Sequence, residues 1–70
     1  MHHLEIRTSK QDTPFWECVP LGSWIEALTG QRVKVDAISH QKRHFKVILY
    51  TTDAEFEAFR ALLQQHFQMA

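Results

Sequence analysis

The sequence predicts a small α+β domain, a four-stranded antiparallel sheet with two helices on one face, in the order ββαββα. Three observations carry this expectation. Phe56, Phe59, Leu62, Leu63 and Phe67 recur at three- and four-residue spacing, the mark of a helix with one apolar face. The run Arg32–Ala37 alternates strictly, and Phe45–Tyr50 is β-branched and aromatic, as strands are. Seventy residues leave room for one domain, spanning residues 1–70.

The elements follow in chain order. Leu4–Thr8 alternates like a strand, and Ser9 to Pro14 is a turn-rich connection. Phe15, Trp16, Cys18 and Val19 suit a pleated surface, while Pro20 and Gly22 read as breakers, so residues 15–21 are expected to form a second strand. Ser23-Trp24-Ile25-Glu26 has the form of a capping box and opens a short helix that docks Trp24, Ile25 and Leu28; Gly30 suits the left-handed residue after its end. Strand Arg32–Ala37 then leads through a polar loop, Ser39 to His44, into strand Phe45–Tyr50. Thr52-Asp53-Ala54-Glu55 is a second capping box, opening a helix from Asp53 to Phe67 with Glu57 and Arg60 paired on its outer side. The two halves then repeat as architecture, because Trp16 precedes Glu26 by the same spacing as Phe45 precedes Glu55. The alternative order is βαββα, a fragment of the ferredoxin-like arrangement.

Composition narrows the function classes. An apolar fraction of 44%, with five phenylalanines and two tryptophans, is that of a folded chain and not a disordered one. Eight basic residues balance eight acidic ones, so no overall field attracts nucleic acid or anionic lipid. No apolar run approaches the roughly 18 residues of a membrane span, and the start Met1-His2-His3-Leu4-Glu5 lacks the pattern of a secretory signal. The lone Cys18 forms no intramolecular disulfide and fits a reducing compartment. A cytoplasmic protein without membrane association is expected.

The reactive residues do not assemble into a chemical signature. His40 and His44 have the spacing of half a zinc-finger pair, but no cysteine pair accompanies them. His66, near a helix end, suits the dipole there. Cys18 has no histidine beside it to draw off its proton and reads as a small apolar core residue. With only Gly22 and Gly30, the chain has no glycine-rich phosphate cradle. No catalytic residue, metal site or cofactor is therefore assigned.

One local charge concentration stands out, His40-Gln41-Lys42-Arg43-His44-Phe45-Lys46. Lys42, Arg43 and Lys46, with Tyr50 as a stacking ring, are the candidate nucleic-acid-binding residues. Arg43, Phe45, Ile48 and Tyr50 are similar in spacing to the aromatic strand of the RNA-recognition motif. The glycine expected at His44 and the aromatic expected at Val47 are missing, and the chain is not assigned to that family.

The first functional expectation is a non-catalytic homodimeric interaction module. A chain of this length buries only roughly 60% of the surface it exposes when unfolded, and small domains commonly gain stability from a partner. The expected interface is the second sheet face, through Ile48, Tyr50, Trp16 and Cys18. Nucleic-acid recognition by the 40–46 loop is the alternative, and a small enzyme with a site shared between subunits is the third reading.

Overall fold

The segments Lys34–Ser39, His44–Leu49, His2–Arg7 and Gln68–Met69 lie side by side in that order in one sheet, with every neighbouring pair antiparallel. In the computed structural model, which describes residues 1–8 and 18–69, the elements are β1 (His2–Arg7), α1 (Cys18–Thr29), β2 (Lys34–Ser39), β3 (His44–Leu49), α2 (Asp53–Gln64) and β4 (Gln68–Met69). This is the βαββαβ split arrangement of ferredoxin-like folds. Each half is a βαβ unit whose two parallel strands are separated by a strand of the other half. The repeat is thus real as architecture but framed one element away from the expected ββα unit.

The four-stranded antiparallel sheet and two helices agree with expectation; the source of one strand does not. Cys18, Val19, Pro20 and Leu21 begin α1 and do not form a strand, and the fourth strand is supplied by Gln68–Met69. The remainder of the expected strand, including Trp16, lies outside the described residues. Pro20 is the third residue of α1, where the backbone amide has no partner within the helix to lose. Gly22 faces β2, and a β-carbon built on it would stand 3.4 Å from Val35 Cγ2. Ser23 therefore lies inside α1 and caps nothing. Its expected partner Glu26 instead accepts a hydrogen bond at Oε2 from the Val33 amide (3.0 Å), tying the approach to β2 back onto the helix. Gly30 does take the left-handed conformation, φ 74°, and its amide donates to the Glu26 carbonyl (2.8 Å).

The second cap forms in part. The Glu55 amide donates to Thr52 Oγ1 (3.2 Å), as a capping box requires, but the Glu55 carboxylate accepts from the Thr51 hydroxyl and not from the Thr52 amide. Helix α2 stops at Gln64, and Phe67 reaches the core after the helix has ended. Its ring meets Trp24 of α1 edge-on at 5.2 Å.

The core lies between the sheet and both helices. Leu4 and Ile6 of β1, Val35 of β2, and Phe45, Val47 and Leu49 of β3 turn to the same side as Leu21 and Ile25 of α1 and Phe59 and Leu63 of α2. Strand alternation fixes this set: the partners Ile6 and Phe45, and Leu4 and Val47, lie side by side. Burying each such side chain favours folding by about 1.5–3 kcal/mol before chain entropy is counted. Among the described residues, no helix is long and apolar enough to cross a membrane.

Candidate functional site

The sheet face turned away from the helices is mostly polar. Across its width Glu5, Lys46 and Asp36 form one row, and His3, Ile48 and Lys34 another. Lys46 thus stands between two carboxylate-bearing neighbours, an arrangement that stabilises the sheet locally. His44 Nε2 lies 2.7 Å from Glu5 Oε1, an ion pair whenever the imidazole is protonated, although the contact is not aligned as a hydrogen bond. Ile48 is half-buried and Tyr50, just beyond β3, is 80% exposed. The second face thus carries two of the expected interface residues on a largely charged background. Cys18 is not on that face: it begins α1 and packs partly against the core, because helix formation from residue 18 onward moves it to the helical layer.

The basic candidates are spread along the molecule. Lys42 is exposed in the turn between β2 and β3, where its amide donates to Ser39 Oγ (3.2 Å). Arg43 closes that turn with a φ of 52°, in the left-handed region. Lys46 is at mid-strand, and Tyr50 lies at the opposite end of β3 from the turn. Phe45 is wholly buried in the core and is not available to stack on a base. His40 packs edge-on to Phe45, ring centroids 6.2 Å apart, and His44 is engaged with Glu5. Among the described residues no group of three or more His, Cys, Asp or Glu side chains is placed to hold a metal ion.

The structure draws attention to the sheet edges, which the residue pattern had not singled out. Strand β4 pairs with β1 only at Ile6 and Arg7, so among the described residues no strand lies beside the outer edge of His2–Glu5. A groove of about 340 Å³, lined by His3, Leu4, Glu5, Arg60, Gln64 and Met69, follows that edge. At the other side of the sheet, β2 pairs with β3 on its inner side, with a register shift between Ala37 and Ser39, and among the described residues no strand lies along its outer side. Between β2 and α1 runs a groove of about 300 Å³, whose lining includes Cys18, Val19, Gly22, Val33 and Val35. Val19 is 80% exposed at its rim, and Ile38, further along β2, is 49% exposed. An edge strand presents unpaired amides and carbonyls, and an apolar groove beside it gives an added strand somewhere to place its side chains. The sequence signal for this edge was present in the alternation of Val33, Val35 and Ala37 with Lys34 and Asp36. What was missing was the position of β2 in the sheet order.

No protein-family model matches this chain, and searches of curated proteins and of solved structures return no match.

Proposed function

We propose that this domain is a non-catalytic interaction module that works by presenting edge strand β2 to another protein chain. The observation that carries the reading is the outer edge of Lys34–Ser39, unpaired among the described residues, beside a groove whose lining joins Val19, Val33 and Val35 to the polar Ser23, Glu26 and Lys34. Backbone hydrogen bonds from such an edge supply affinity for an extended segment, and the adjoining pockets supply selectivity. Nucleic-acid recognition ranks below it, because Lys46 lies between Asp36 and Glu5 and the remaining basic candidates sit at the far end of β3 from Tyr50.

The test is site-specific photocrosslinking in the cell that makes the protein, with a photoreactive residue at Ile38 and a control at Glu57 on the outer side of α2. The reading expects a defined protein adduct at position 38, identified by mass spectrometry as this chain or another, and none at position 57. Equal labelling at both positions, or none at 38, overturns it.

A further inference from the structure

We infer that the occupant of the β2 edge is the β2 strand of a second copy of this chain, paired antiparallel about Val35. This rests on the edge-recognition reading and names its partner. Strand register selects this partner. When two copies of one strand pair antiparallel with their helices on the same side of the joined sheet, residues that point to the same face must meet, so the symmetric centre falls on a residue and not between two. Centring on Asp36 brings two aspartates together, and centring on Lys34 brings two lysines together. Centring on Val35 places Lys34 opposite Asp36 of the second copy, and Asp36 opposite its Lys34.

The same register orders the other face. It sets Val35 against Val35, and Val33 against Ala37, on the side where the groove between α1 and β2 opens. Val19, exposed at the rim of that groove, is brought towards the second copy. The four-stranded sheets join into one of eight strands, and the open edge of β2 is removed from water in both chains. The opposite edge, along β1, lacks this self-complementarity over a useful length, since β4 already occupies Ile6 and Arg7.

Charge reversal tests the register. Sedimentation equilibrium at micromolar concentration is run on the parent, Lys34→Asp, Asp36→Lys and the double variant, with near-ultraviolet circular dichroism to establish that each is folded. The inference expects a dimeric parent and a dissociation constant raised about tenfold or more in each single variant, where attractive cross-strand pairs become repulsive. It expects the dimer to return in the double variant, where the pair is attractive again with its signs exchanged. A single variant that does not fold leaves the parent and double variant to decide. A monomeric parent overturns the second copy as occupant, while a crosslink from Ile38 to a different protein would leave edge recognition standing. A parent dimer that survives both single reversals but is lost in Ile48→Lys overturns the inference in favour of the sheet face.

Discussion

Gly22 of α1 and Val35 of β2 meet at a point where the helix has no side chain to hold it off the strand: a β-carbon at Gly22 would stand 3.4 Å from Val35 Cγ2. The approach seats α1 over β2 and shapes the groove beside the edge. A methyl group at position 22 meets contact that the valine can accommodate, and alanine is the better helix former. Gly22→Ala is expected to change stability by no more than about 1 kcal/mol, in the stabilising direction. Gly22→Leu forces the helix away from β2 and is expected to cost about 1–3 kcal/mol. Urea denaturation of both variants checks the pair; equal stabilities would show that α1 does not pack closely here.

Phe59 is 3% exposed, in the middle of the buried stripe of α2. Phe59→Ala is expected to cost about 3–5 kcal/mol, close to the whole stability of a domain this small, about 5 kcal/mol or less. Thermal unfolding should show a variant largely unfolded at room temperature. A melt within a few degrees of the parent contradicts the assigned core.

The Arg60 guanidinium, hydrogen-bonded to the Glu57 carboxylate, holds the pKa of that carboxyl below its ordinary value. A carboxyl whose pKa is lowered on folding contributes stability above its unfolded pKa and loses it as pH falls through the folded one. Both groups are on the surface, so the effect on stability is small and salt-sensitive. Carbon-detected NMR titration should find Glu57 titrating below an ordinary glutamate, and Arg60→Ala should move it back up. No movement on removing Arg60 contradicts the pairing.

For the basic residues the expected outcome is negative. Oligonucleotide binding at physiological salt should be negligible, and replacing Lys42, Arg43 and Lys46 together by alanine should change nothing. Tight binding that weakens with salt and disappears in the triple variant would place nucleic acid first.

Much of the fold was legible in the residues. Phe56, Phe59 and Leu63 showed α2 through their spacing, Thr52 showed its cap, Gly30 showed the end of α1, and the alternation of Val33, Val35 and Ala37 showed β2. The start of α1 was misread because Pro20 and Gly22 are helix breakers by local propensity. Here tertiary placement overrides propensity: the proline sits in the first turn of α1, and the glycine allows close packing on β2. The two-residue β4 was hidden at the end of an apparent helix, since Phe67 continues the helical spacing of Phe59 and Leu63 even though it joins the core from beyond Gln64. The candidate surface was the least legible part. Whether Lys34–Ser39 lies at the centre or edge of a sheet depends on pairings with β3, which alternation within one strand does not encode.

The most direct measurement of the central claim is an isotope-filtered NMR experiment on a mixture of labelled and unlabelled chains, which detects only contacts between copies. The edge-strand account predicts contacts from the Val35 methyl groups of one copy to those of the other, and from Val33 to Ala37. Contacts confined to Ile48 and the Tyr50 ring, or no contacts between copies under conditions where the chain is dimeric by sedimentation, would contradict it.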